Sequence, residues 1–130
     1  VSRNFGAGTR VPWDPQFLIE SLSDSTIYMS YYTIAHQLQG DIEGTKPGPL
    51  GIEAKQLTPE VFDYIFLNGA YKEEFGIPEE KLKTLRDEFN YWYPLDLRVS
   101  GKDLVRNHLT MSLYTHSAIW KDDKYWPRGF

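Results

Sequence analysis

Alternation and helical spacing divide the chain into recognisable segments. Residues 1–16 are punctuated by Gly and Pro against regular structure, and "FLIESLS" then alternates well enough to predict a short strand. In "STIYMSYYTIAHQLQG" the apolar residues Ile27, Tyr31, Ile34 and Leu38 recur at helical spacing, with Ser23 or Asp24 available as cap and Gly40 as stop, which predicts a helix over about 24–39. "GDIEGTKPGPLG", residues 40–51, reads as a surface loop or the start of an insertion. "LTPEVFDYIFLNG" predicts a helix with Thr58 as N-cap, Pro59 in the first position, Glu60 against the helix dipole and Gly69 as terminator. In "IPEEKLKTLRDEFNYW" the stripe Leu82, Leu85, Phe89, Trp92 predicts a second helix, with a Glu79–Lys83 pair on its wet face and Pro94 ending it. "LDLRVS" sets Leu95, Leu97 and Val99 against Asp96 and Arg98, the pattern of a partly buried strand over 95–99. No internal repeat is visible.

After Val99 the pattern changes from strand-like to helical. Ser100 followed by Asp103 resembles a capping box, Gly101 permits a tight turn, and the helix is predicted to run to about Trp120. Leu104, His108, Met111, Thr115 and Ala118 line one face of it, with Leu109, Leu113 and Trp120 towards a neighbouring one. A strand entering a helix through such a turn frees backbone N–H groups at the strand's carboxyl end, where open parallel sheets bind ligands. The same turn occurs in many α/β proteins without a ligand. A P-loop is excluded, because the Lys of G-x-x-x-x-G-K-[ST] must be followed by Ser or Thr and Asp103 follows Lys102.

Composition narrows the picture further. The 130 residues are 41% hydrophobic and fit one domain, and a net charge of −4 gives no chain-wide basic footprint for phosphate backbones. With no Cys there is no disulfide framework, thiolate metal site or cysteine nucleophile. No apolar run approaches the roughly 18 residues a membrane span needs, so no membrane partner is expected. The start at Val1 and the turn-like close at Phe130 are read as cuts in a longer chain.

Other chemistry finds little support. His36, His108 and His116 form no H-E-x-x-H or i, i+4 pair, so no metal site is expected, although His108 and His116 stand two turns apart and can share a face. Ser25 and Ser100 lack the G-x-S-x-G setting, and the acidic pairs at 73–74 and 79–80 read as solvated faces. Nine Tyr and four Trp are mostly at core spacing, without interleaved basic residues.

"GTRVPWDPQFLIESLSDSTIYMSYYTIAHQLQG" and "FNYWYPLDLRVSGKDLVRNHLTMSLYTHSAIW" resemble the leucyl-tRNA synthetase family of the eukaryotic-cytosolic and archaeal type, over nearly the whole chain. The resemblance implies an α/β fold: a helix-rich fragment of a class I synthetase Rossmann-type catalytic domain, from the second half of its parallel sheet, with a connecting insertion. Its implied divisions are 1–39, returning from an editing insertion into the catalytic core; 40–90, a mainly helical connecting insertion; and 91–130, the strand–turn–helix of the catalytic domain. By position, Ser25, Tyr28 and His108 correspond to residues lining the leucine pocket, and Gly101 and Asp103 to residues against the adenosine of ATP, with no catalytic residue of the chain's own. The family's His-Ile-Gly-His and Lys-Met-Ser-Lys-Ser signatures are absent from these residues, so the fragment alone is expected to be inactive. Arg106 stands where the family pattern has Pro. The implied partners are leucine, ATP as substrate with Mg2+, and tRNA(Leu), together with other synthetases or scaffold proteins, in the cytoplasm. The alternatives are a non-catalytic nucleotide-binding or interaction module and, within the class, an isoleucyl- or valyl-tRNA synthetase.

Overall fold

A computed structural model describes residues 2–6 and 8–130. The chain forms two compact units, a contiguous one over Ser30–Pro94 and a split one made of Val1–Met29 with Leu95–Phe130.

The contiguous unit is held by two amphipathic helices, α4 (Pro59–Phe66) and α5 (Glu79–Trp92). Thr58 is the N-cap residue of α4 and Pro59 opens it, because proline's fixed φ suits a position whose N–H has no helical partner. The stop is Asn68, which takes the left-handed conformation at φ 56°, while Gly69 folds its N–H back to the Asp63 carbonyl at 2.9 Å. A Cβ on Gly69 would stand 3.0 Å from the Asp63 backbone, so glycine is there for close approach rather than as the terminator expected from the sequence. On α5, Leu82, Leu85 and Phe89 are fully buried as predicted, but Trp92 is 59% exposed and donates its indole N–H to Glu88. Tyr93 takes the buried place and stacks on Phe89 at 4.9 Å, and Phe89 meets Phe66 edge-on. Lys83 pairs with Asp87 rather than Glu79. The rest of this core is Ile34, Leu38, Ile52, Val61, Tyr64, Ile65 and Ile77.

α1 (Ser21–Asp24) replaces the end of the strand predicted for "FLIESLS", and the predicted 24–39 helix is broken into α2 (Tyr28–Tyr32) and α3 (Ala35–Leu38). Hydroxyls compete with the helical ladder at the breaks: Ser25 donates to the Leu22 carbonyl, Thr26 to Ser23 and Thr33 to Ser30. Residues 40–51 are a loop as expected, tied by a bridge between Gln39 and Pro47.

The sheet of the split unit is antiparallel: β1 (Ser2–Arg3), β2 (Arg10–Val11) and β3 (Asp14–Ile19), in the order β1-β3-β2. It begins inside the stretch expected to lack regular structure. The predicted 95–99 strand does not form. This segment is extended but has only two backbone hydrogen bonds to the end of the chain, Arg128 N–H to Leu95 and Arg98 N–H to Gly129, both 3.0 Å. The parallel sheet expected of a Rossmann-type domain is therefore absent among the described residues, because a parallel strand needs neighbours supplied through crossovers and none flank 95–99 here. The alternation is also reversed: Leu97 and Val99 are 66% and 83% exposed, whereas Arg98 and Ser100 are half-buried.

The predicted 101–120 helix is composite. A 3₁₀ turn over Lys102–Leu104 leads into a π turn over Val105–Leu109, and α6 (Thr110–Ile119) follows. His108, Leu109 and Trp120 are buried as predicted, but beyond the wide turn Ser112 and His116 are fully buried, Met111 and Thr115 only partly so, and Leu113 is 48% exposed. Trp120 and Tyr125 complete this side of the core.

Candidate functional site

The residues singled out by sequence converge on one turn and the segments packed against it within the split unit. Residues 23–27 turn back on themselves through the Ser25 and Thr26 hydroxyls described above, which presents the Ser25 carbonyl and the Tyr28 ring. His108, only 2% exposed, donates from Nε2 to that carbonyl at 2.8 Å. A carbonyl only accepts, so Nε2 carries a proton. The ring's Nδ1 is buried without a partner.

Tyr28 is 42% exposed and meets the extended 95–100 segment: its hydroxyl accepts from Arg98 Nη1 at 3.4 Å, and the guanidinium carbon lies 5.8 Å from its ring centre. One hydrogen bond thus brings His108 to Ser25 and another brings Arg98 to Tyr28, and sequence spacing reveals neither.

The turn is fixed from behind by polar groups of α6. Ser112 donates to the Thr26 carbonyl at 3.2 Å, and His116 donates from Nδ1 to the Ser112 carbonyl at 2.7 Å. Thr26, Ser112 and His116 are all fully buried. Burial pushes the His116 pKa below its ordinary value, against the opposing effect of the bond to Ser112, and keeps the imidazole neutral near neutral pH. His108 and His116 do share a face, with Ser112 between them.

Gly101 and Asp103 lie at the following turn, where the Leu104 N–H bonds to the Gly101 carbonyl at 3.0 Å. Gly101 has φ −62° and ψ 146°, a conformation open to any residue, so the turn does not itself demand glycine. A Cβ there would stand 2.5 Å from Asp103 Oδ1, so glycine leaves room for the carboxylate to fold back. Asp103 is exposed. The expected capping box is not made: no side-chain hydrogen bond caps this turn, and Ser100 Oγ is buried without a partner. Beside the turn, Leu97, Val99, Val105, Leu113 and Phe130 border an open apolar groove.

Over 128 residues, 98% of its length, the chain is 58% identical to the cytoplasmic leucine–tRNA ligase of Dictyostelium discoideum. It is 56% identical over 129 residues to that of Saccharomyces cerevisiae, and 48% over 132 residues to the leucine–tRNA ligase of Methanopyrus kandleri. The chain belongs to the leucine–tRNA ligase family. It spans about 12% of the length of each of these relatives. No family model matches it. For a leucine–tRNA ligase segment the chain is helix-rich, as the resemblance implied. No helix among the described residues is long and apolar enough to cross a membrane. Nor does any group of three or more His, Asp or Glu among them stand close enough to hold a metal ion.

Sequence reasoning missed Arg98, Ser100, Thr26 and Ser112. Arg98 was visible as a polar position of an alternating segment and was read as its wet face, and Ser100 was read as a helix cap. Thr26 and Ser112 gave no signal, since their importance is the contact they make across 86 residues.

Proposed function

We propose that this chain is part of an enzyme that joins leucine to ATP as leucyl-adenylate and transfers the leucyl group to tRNA(Leu), in the cytoplasm. The observation that carries the reading is identity of 48–58% to leucine–tRNA ligases over nearly every residue, including the turn at 23–28 and the segment at 95–108. In the reaction a carboxylate oxygen of leucine attacks the α-phosphorus of ATP and pyrophosphate leaves. A hydroxyl of the tRNA's terminal ribose then attacks the acyl carbon and AMP leaves. Such steps require positioned reactants and neutralised charge more than a protein nucleophile.

The chain's part is positioning. Tyr28 and the His108 ring supply shape for an apolar side chain, with Ser25 as the small polar group beside them. Gly101 and Asp103 lie against the adenosine, where the Asp103 carboxylate accepts from a ribose hydroxyl. Mg2+, when it accompanies ATP, supplies charge neutralisation; no step is assigned to it on these residues.

The test is ATP–pyrophosphate exchange by the intact protein with each amino acid in turn. Leucine-dependent exchange is expected, and Tyr28→Ala should raise the KM for leucine more than that for ATP. Exchange driven by another amino acid, or none, would reject the reading in favour of a related synthetase or a non-catalytic module.

A further inference from the structure

Three side-chain atoms are buried without a hydrogen-bond partner among the described residues: Arg98 Nε, Ser100 Oγ and His108 Nδ1. Native proteins pair nearly all such atoms, so a cluster of exceptions calls for a physical cause. Arg98 and Ser100 are half-buried, while Leu97 and Val99 beside them face solvent. Arg98 reaches Tyr28 through Nη1 and His108 reaches Ser25 through Nε2, so two of the three residues bond to the segment 25–28. No carboxylate among the described residues forms an ion pair with Arg98.

We infer that Arg98 and Ser100 bind an anionic oxygen of the substrates, either the carboxylate of leucine or an α-phosphate oxygen of the nucleotide, with the Tyr28 ring as the platform for the guanidinium. The inference rests on the function proposed above. Arg98 Nε–H can only donate and Ser100 can donate, and a guanidinium's planar fork matches carboxylate and phosphate alike. His108 is held by its bond to the Ser25 carbonyl and is not part of the anion site. Both candidate oxygens are negative when the carboxylate approaches phosphorus, so a fixed cation there lowers the repulsion between them.

The intact protein is tested as wild type and as Arg98→Ala, Arg98→Lys and Ser100→Ala, by ATP–pyrophosphate exchange and by binding of AMP and of the alcohol analogue of leucine, which lacks the carboxylate. If the carboxylate is the ligand, Arg98→Ala raises the KM for leucine about tenfold or more, the loss expected for a hydrogen bond to a charged group, and leaves AMP and the alcohol bound as before. If the phosphate is the ligand, the ATP KM and AMP affinity change by that factor and the leucine KM does not. Arg98→Lys recovers part of the loss, since it restores the charge without the fork, and it serves as the readout should the alanine variant fail to fold. Ser100→Ala moves the same constant by a smaller factor. Folded variants that keep both KM values and kcat within about twofold beside an active wild type overturn this inference alone. A wild type without leucine-dependent exchange overturns it together with the proposed function.

Discussion

Arg86 and Arg98 show how differently the two units use the same side chain. In the contiguous unit Arg86 lies over the Tyr64 ring at 3.5 Å and spends its donors on backbone carbonyls at the end of α4, Nε to Tyr64 at 2.7 Å and Nη2 to Gly69 at 2.6 Å. The Tyr64 carbonyl is one that a helix end leaves unpaired and the Gly69 carbonyl lies in the turn that follows, so the charge satisfies both and suits the dipole. In the split unit Arg98 also approaches a tyrosine, but at 5.8 Å, and its Nε donates to nothing. The cores differ in the same sense. Around Phe89 the contiguous unit is apolar, whereas the split unit fully buries Thr26, Ser112 and His116 and nearly buries His108. Arg86 thus has its Nε bonded to the backbone, whereas the buried Nε of Arg98 has no partner among the described residues.

The largest effect should come from breaking the apolar core. Phe89→Ala should destabilise the contiguous unit by about 3–5 kcal/mol, seen in hydrogen exchange of the intact protein as lost protection over residues 59–92 beyond any loss over 110–119. Arg86→Ala should cost about 2–3 kcal/mol of local stability by the same measurement, because the Tyr64 and Gly69 carbonyls lose charge-assisted partners. Arg98→Ala should leave protection near wild type; equal losses for the two arginines would erase the contrast.

A smaller loss, about 1–2 kcal/mol, is expected for Ser112→Ala, which leaves the buried Thr26 carbonyl without its donor. It should loosen the 23–27 turn, detected as faster exchange there. The His116 pKa is lowered on folding, so the unfolded segment binds the proton more readily. Its contribution is therefore complete above the ordinary value of 6.5 and is lost as pH falls below that value towards the folded pKa. Protection of 110–119, corrected for intrinsic exchange, should fall between pH 7 and pH 5, and His116→Gln should flatten the dependence. Lys83→Ala should change nothing measurable, since its pairing with Asp87 is on an open helix face.

Where a segment's structure follows from its own residues, the sequence was enough. Leu82, Leu85 and Phe89 are one helix stripe, Thr58–Pro59 is a local start, and "GDIEGTKPGPLG" cannot be other than a loop, so α4, α5 and the 40–51 loop were legible from spacing and turn chemistry alone. Family membership was legible too, because long ungapped runs carry it without any reference to shape. The tertiary structure decided the rest. Whether 95–99 becomes a strand depends on which neighbours are present to pair with it, and which of its faces is covered depends on what packs there. Beyond the wide turn at Val105–Leu109 the last helix buries Ser112 and His116 where Met111 and Thr115 were expected, a shift that no hydrophobic period encodes. The hydrogen bonds that gather Ser25, Tyr28, Arg98 and His108 span 70 and 83 residues, and only the folded chain brings such distant positions within reach.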